Sequence, residues 1–307
     1  MSDQILWGVD LGGTKMEGVV VRVGEEPEIL ARTRIPTEAA SGYNHIIDQA
    51  VKLVELLSTE TGLTPTAIGI GTPGTLDRVT NRIKNSNTLC LIDQPFKEDL
   101  ERVLNIPVYM ANDANCFALA ESIWGAASHL KPETLFGVIM GTGVGSGIVV
   151  NGQILQGRHG IAGEWGHNPL DDSGPDCYCG KKGCVETIIA GPALERYYAE
   201  LSGKSRPLKD IITDAQAESD VHAVRTLERL IFYFGKAIAT IINILDPDVI
   251  VLGGGVGNVK ELYTLGVEAI KPHLFNDALN TLFLKPKLGD SAGVFGAALL
   301  TKFPSKN

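Results

Sequence analysis

One imidazole and three thiols crowd into the span 167–184: His167, Cys177, Cys179 and Cys184. One nitrogen and three sulfurs are the donor set of a tetrahedral structural zinc, and Gly180 and Gly183 let the loop fold around an ion. The rival chemistry is a redox loop, but Cys-x-Cys lacks the two-residue gap of thioredoxin-like pairs, which puts zinc ahead. Four protein ligands leave no position open for a reactive water, so the metal is expected to shape a loop and not to catalyse. Glu164 and Glu186 stand at the two ends of this stretch. Turned inward they would accept hydrogen bonds from vicinal hydroxyls, as a sugar requires; turned outward they are ordinary solvated glutamates.

A second group is rich in glycine. Asp10-Leu11-Gly12-Gly13-Thr14-Lys15 combines a carboxylate, two residues able to adopt positive φ, a hydroxyl and a cation. Amides freed by glycine can approach phosphate oxygens, Thr14 can donate a hydrogen bond, and Asp10 can hold magnesium through water. A related run, Gly141-Thr142-Gly143-Val144-Gly145-Ser146-Gly147, follows in mid-chain, and Gly253-Gly254-Gly255 comes later. Taken alone, either of the first two is plain hairpin chemistry. Neither has Walker spacing, and Ser146 stands where a dinucleotide fingerprint starting at Gly141 needs its last glycine, which counts against P-loop ATPases and Rossmann dehydrogenases. All three together favour a nucleotide held between two domains. Asp113 is the remaining candidate. Asn112 or Asp113 can cap the helix that begins there; alternatively, a carboxylate at a strand end can orient a substrate hydroxyl for attack on a γ-phosphate.

These side chains need elements to position them. Residues 5–10, 18–23 and 28–34 read as short strands in a meander, and the apolar spacing of Ile46, Ile47, Ala50, Val51, Val54 and Leu57 predicts a helix over 44–60. Strands are expected at 67–71 and 108–111, the latter running into a helix out to Ser128. The opening theme then repeats, with a strand at 135–140, the glycine run, and a strand at 148–150. A long helix over 219–245 and a buried strand at 248–252 follow. Two copies of a strand–glycine loop–strand unit imply two related α/β domains. We place them at 1–118, completed by a closing helix at 291–307, and 119–290, which carries the zinc loop.

The chain has 307 residues, 44% hydrophobic and 21% charged, enough for two self-sufficient cores without disulfide staples. Lys plus Arg number 27 against 36 Asp plus Glu, a net charge of −9 that argues against a nucleic-acid partner. No apolar run approaches the ~20 residues of a membrane span, and the first residues lack a signal peptide's basic start, so a cytoplasmic protein is expected.

The motifs as a set resemble the ROK sugar kinases of the actin-like and hexokinase-like ATPase superfamily. The resemblance runs through DLGGTK at 10–15, GTPG at 71–74, NDAN at 112–115, GTGVGSG at 141–147, GEWGH at 163–167, CYCGKKGCVE at 177–186 and GGG at 253–255. It implies two ribonuclease-H-like domains with ATP and sugar in the cleft between them, and Asp113 as catalytic base. Asn112, Asp113, Glu164, His167 and Glu186, with Gly74 and Asn87, would bind the hexose, His167 touching sugar with one ring nitrogen and zinc with the other. Asp10, Gly12, Gly13, Thr14, Lys15, Gly141, Thr142, Gly143, Gly254 and Gly255 would surround magnesium and ATP. A homodimer is common in such a family. Some members are transcriptional repressors with a DNA-binding module ahead of the kinase-like part; a first strand near Ile5 leaves no room for one, which favours the enzyme over a sugar-sensing regulator. The expected reaction is ATP-dependent phosphorylation of a hexose 6-hydroxyl. Glucose ranks first, then fructose or mannose, on the likeness of residues 163–170, 85–88 and 94–96, and N-acetylhexosamine on that of residues 112–121.

Overall fold

The structure is a computed structural model that describes residues 4–303. In chain order the elements are β1 (Ile5–Leu11), β2 (Lys15–Arg22), β3 (Glu28–Pro36), α1 (Tyr43–Thr61), β4 (Ile68–Thr72), β5 (Thr75–Leu76), β6 (Ile83–Lys84), α2 (Phe96–Leu104), β7 (Val108–Asn112) and α3 (Asp113–Ile123). Then come β8 (Thr134–Met140), β9 (Val144–Val150), β10 (Gln153–Ile154), α4 (Val185–Ile189), α5 (Gly191–Ser202), α6 (Leu208–Gln216) and α7 (Val221–Leu245). The chain closes with β11 (Val249–Gly253), α8 (Gly254–Gly257), α9 (Leu265–Ile270), β12 (Leu282–Leu284) and α10 (Ala292–Leu299).

The duplication expected from the sequence is present in the sheets. One has the order β3-β2-β1-β4-β7, the other β10-β9-β8-β11-β12, so each places its third, second, first, fourth and fifth strands side by side. In the first, β1 pairs antiparallel with β2 and parallel with β4, which is parallel to β7; in the second, β11 is parallel to both β8 and β12. The inner parallel strands β4 and β11 are buried at every residue, as strands covered on both faces must be.

The chain divides into two compact units. The first comprises the chain up to Lys131, Gly147–Ala162 and the segment from Lys287 onward; the second comprises Pro132–Ser146 and Gly163–Pro286. In the first, α1 buries Ile46, Ile47, Ala50, Leu53, Val54 and Leu57 on one face and ends at Gly62, whose φ of 68° is the left-handed cap that glycine adopts without strain. Helix α10 lies so close on β1 and β4 that a methyl at Gly8 or Gly69 would collide with its backbone. In the second unit the long helix α7 starts at Val221 because Asp220 caps it, accepting hydrogen bonds from the His222 and Ala223 amides.

Two expectations need correction. The predicted glycine turns are shorter than they read, since β2 already begins at Lys15 and β9 at Val144, leaving Gly12–Thr14 and Gly141–Gly143 as the turns proper. Helix α3 stops at Ile123 and does not reach Ser128. The reason is Glu121, fully buried, whose carboxylate accepts hydrogen bonds from the backbone amides of Ala126 at 2.8 Å, Lys287 at 3.0 Å and Leu288 at 2.9 Å. The Ala126 amide thus bonds the Glu121 side chain in place of a helical carbonyl, and the other two amides tie that carboxylate to the far end of the chain. Among the described residues, no helix is long and apolar enough to cross a membrane.

Candidate functional site

In the first unit the candidate residues gather at the C-terminal ends of the parallel strands β1, β4 and β7. The register sets Asp10 beside Gly71 and Thr72 beside Asn112. Open α/β sheets bind ligands at this edge because the loops leaving it are free to be shaped by function. The Gly12–Thr14 turn is closed by a Gly12 amide to Lys15 carbonyl bond of 2.9 Å and braced by the Thr37 hydroxyl, which donates to the Gly12 carbonyl at 2.6 Å. Gly13, Thr14 and Lys15 are exposed. Neither Gly12 nor Gly13 uses its freedom to take a positive φ. Gly74 does need its glycine: its φ is 87° and a side chain there would lie 2.6 Å from the Lys84 carbonyl. Asn87 is exposed on a loop whose next residue, Thr88, lies against Gly13.

Of the two residues able to cap α3, the N-cap is Asn112. It accepts from the Ala114 amide at 2.9 Å through Oδ1 and donates through Nδ2 to the Gly74 carbonyl at 3.2 Å. Asp113 is the first residue of the helix. Its carboxylate also accepts from the Ala114 amide, at 2.8 Å, yet its side chain is open to solvent. The surrounding protein nevertheless pushes its carboxyl above the usual range, with the Ala114 amide pulling the other way. Asp10 is pushed up to about 7 by burial first and then by the charges of Asp113 and Glu17, with Lys15 and Arg34 giving partial relief. Glycines at 71 and 293 leave open the space around the Asp10 carboxylate that a Cβ would crowd. A carboxylate short of countercharge, in an open cradle beside an exposed amide turn, fits a magnesium–triphosphate partner.

In the second unit the Gly141–Gly143 turn and Gly254 are brought together at the ends of the neighbouring parallel strands β8 and β11. Gly254 has a φ of 80°, and any side chain there would collide with the Met140 carbonyl, whereas a Cβ on Gly141 or Gly255 would meet open space. Glu186 is tied to the same turn: its Oε2 accepts from the Val144 amide at 2.9 Å, and a Cβ on Gly143 would strike it.

His167 ends a short 3-10 turn over Trp165–His167. Trp165 anchors that turn, buried edge-on against Phe136 at 5.9 Å, and Gly166 packs so tightly under the Val144 carbonyl that no Cβ could fit. His167, Cys177, Cys179 and Cys184 converge, with all four ligand atoms within 4.8 Å of one another. His167 Nδ1 faces Cys177 Sγ at 3.6 Å, and Cys179 and Cys184 sulfurs are also 3.6 Å apart. Zinc–sulfur bonds of ~2.3 Å in a tetrahedron put the sulfurs roughly 3.8 Å from each other, so the donor set fits zinc in kind and in spacing and is too far apart for a disulfide. Gly180 and Gly183, with φ of 86° and 60°, turn the loop as expected. Burial, with the neighbouring thiols, pushes Cys184 up to about 12; a cation at the centre of the cluster would offset that penalty on the thiolate.

One residue of this neighbourhood escaped sequence reading. Tyr178 lies between two of the cysteines, and its hydroxyl is 3.0 Å from His167 Nε2. Although 82% exposed, it is backed by enough protein, with Glu186, Cys177 and Glu164 adding their charge, to push its phenol up to about 12. The charges of Glu186 and Glu164 thus reach the same phenol that meets His167. The only hint in the sequence was the residue's place inside Cys-x-Cys.

The chain is similar over nearly its whole length to known sugar kinases. The profile of the ROK family matches residues 6–303. An N-acetyl-D-glucosamine kinase of Histophilus somni (strain 129Pt) is 36% identical over 305 residues, 96% of this chain and 98% of that protein. The crystal structure of a ROK hexokinase from Thermus thermophilus superposes with a TM-score of 0.85 at 34% identity, over 96% of this chain and 97% of that one. A ROK family glucokinase from Streptomyces griseus, solved with glucose and AMPPNP, gives a TM-score of 0.77 at 27% identity, over 97% and 99% of the two chains. The duplicated α/β architecture is thus the two-domain actin-like ATPase fold, and the chain belongs to the ROK family.

Proposed function

We propose that this sugar kinase transfers the γ-phosphoryl group of ATP to the 6-hydroxyl of a hexose, with N-acetylglucosamine as its first acceptor and glucose as its second. The observation that carries the reading is Asp113: an exposed carboxylate at the start of α3, with the cap itself supplied by Asn112. Its role is to accept the proton of the sugar hydroxyl and, above all, to aim that oxygen at phosphorus, since a loose phosphoryl-transfer transition state needs positioning more than basicity. A raised carboxyl suits this task, being a better proton acceptor once ionised. Asn112, Asp113, Glu164, His167 and Glu186 take the sugar hydroxyls, with Gly74 and Asn87 beside them. The amides of Gly12–Thr14 and Gly141–Gly143, with Lys15, Gly254 and Gly255, receive the nucleotide and stabilise charge on the transferring group.

Asp10 would hold magnesium, which when bound with the triphosphate neutralises phosphoryl charge. His167 and the three cysteines would hold zinc, which with four protein ligands fixes a loop and does no chemistry. In favour of N-acetylglucosamine stands the relative that is 36% identical across nearly the whole chain. Glucose, first in the sequence ranking, becomes second on that ground. Against a silent regulator stands the intact Asp113. The test is an ADP-release assay with magnesium–ATP and a panel of N-acetylglucosamine, N-acetylmannosamine, glucose, mannose and fructose. Turnover led by N-acetylglucosamine is expected; no ADP with any sugar refutes the kinase, and preference for another hexose refutes only the acceptor.

A further inference from the structure

The proposed site gives His167 two partners, and the structure sets a third upon it. Tyr178 Oη is 3.0 Å from Nε2, and the two rings meet edge-on with centroids 5.1 Å apart and planes at 87°. The other ring nitrogen, Nδ1, faces the cysteine cluster. A metal on Nδ1 uses that lone pair, so the ring keeps its one proton on Nε2. A single N–H makes one well-aligned hydrogen bond. A phenol oxygen and a sugar hydroxyl therefore cannot both accept it in good geometry. Tyr178 is also easily displaced: its side chain is 82% exposed, so turning away gives up little buried surface.

We propose that Tyr178 is a built-in competitor of the sugar: its hydroxyl occupies, on His167 Nε2, the position that a sugar hydroxyl takes, and it swings into solvent when sugar binds. The inference rests on the sugar-binding role given above to His167. The device holds the imidazole in its working orientation while the site is empty, and it sets a threshold for entry. A hexose that presents a hydroxyl to Nε2 repays the lost bond, whereas a deoxy analogue lacking that hydroxyl leaves the tyrosine in place.

Tyr178→Phe keeps the ring and its edge contact and removes only the competing oxygen. Calorimetric titration of the metal-loaded wild type and variant with N-acetylglucosamine and with glucose, together with elemental analysis of both, reads the effect. The expected result is a Kd about five-fold lower in the variant, the equivalent of a net hydrogen bond of about 1 kcal/mol, with unchanged metal per chain. Unchanged binding overturns the proposal, because the phenol then competes with nothing. Weaker binding overturns it in favour of a phenol that touches the sugar, and loss of metal in favour of one that holds the cluster. A wild type that binds no hexose removes the sugar-kinase reading and this inference together, whereas normal wild-type binding with any of the other three results removes the inference alone.

Discussion

The Asn112–Asp113 pair and the stretch from Glu164 to Glu186 are both candidates for holding sugar, but they are held in place by opposite means. Asp113 sits at a junction of regular elements, where β7 delivers it and an Asn112 cap starts α3. Its position is stored in strand pairing and in the side-chain hydrogen bonds of Asn112 and Asp113. Between the 3-10 turn at Trp165–His167 and α4 the chain has only two isolated bridges, Pro169 with Cys184 and Asp176 with Lys182. A loop with so little ladder to order it would gain rigidity from a metal held by the four candidate ligands, and Glu186 follows two residues after the last of them. The difference teaches that the Asn112–Asp113 junction should tolerate loss of metal, while the Glu164–Glu186 stretch should not.

The strongest way to break this contrast is Asp113→Asn. The substitution preserves shape and leaves the Asn112 cap, so the fold should survive while kcat falls by about 10²–10⁴-fold, the usual worth of a positioned general base. Circular dichroism and the ADP-release assay check the two halves of that statement. The pH profile sharpens it. Asp113 acts when ionised and its carboxyl is raised, so activity should climb with pH along an acid limb lying above the ordinary carboxylate value of 3.8. In the Asn variant the residual activity should lose that limb.

Next in size is Cys179→Ala, which removes a ligand from the loop and nothing from the strand–helix junction. Metal content should fall from about one per chain, and hexose affinity should weaken by roughly tenfold or more as Glu164, His167 and Glu186 lose their common support. Nucleotide binding should change little. Elemental analysis and paired titrations with sugar and with a non-hydrolysable ATP analogue test this; retention of sugar affinity in a metal-free variant would sever the loop from the pocket.

Legibility in the sequence followed the same divide. The strands and the α1 helix were readable because period-2 and period-3.6 patterns are local, and the presence of two related domains followed from the repeated strand–glycine–strand unit, whereas the strand order within each sheet did not. The metal cluster was readable because ligand types at close spacing carry their own chemistry. What stayed hidden depended on distant partners. Gly8 and Gly69 look like flaws in strands until α10 is seen lying on them, and Glu121 looks like a helix surface residue until the Lys287 and Leu288 amides arrive from the far end of the chain. Glycine showed both outcomes. Gly74 and Gly254 are required by φ, whereas Gly12 and Gly13 are not, and sequence alone could not separate them.

That separation yields the third test. Gly254→Ala forces a positive φ and a collision with the Met140 carbonyl, and should destabilise the protein by about 1–3 kcal/mol in urea unfolding. Gly255→Ala meets open space and should be close to neutral in stability. If the neighbouring residue serves the nucleotide as proposed, its methyl should instead raise KM for ATP. Equal stability losses in the two variants would mean that the glycine cluster is a packing feature throughout.

The smallest effect concerns what steadies the loop apart from metal. Asp171 accepts hydrogen bonds from the Tyr233 hydroxyl on α7 and from Ser173, and its backbone carbonyl lies where a Cβ on Gly183 would be. The Tyr233 bond first, then Ser173, holds its carboxyl at about 2, below the ordinary 3.8. A value lowered in the folded state stabilises fully above 3.8 and is lost as pH falls through about 2. Asp171→Asn should therefore lower stability at pH 7 by about 1 kcal/mol or less after solvent screening, and the gap from wild type should close as unfolding is repeated at lower pH. With metal bound the loss should shrink further, because the four ligands already restrict the loop; a loss that is larger in the loaded protein than in the metal-free one would show that α7, not the cluster, is what gives this loop its shape.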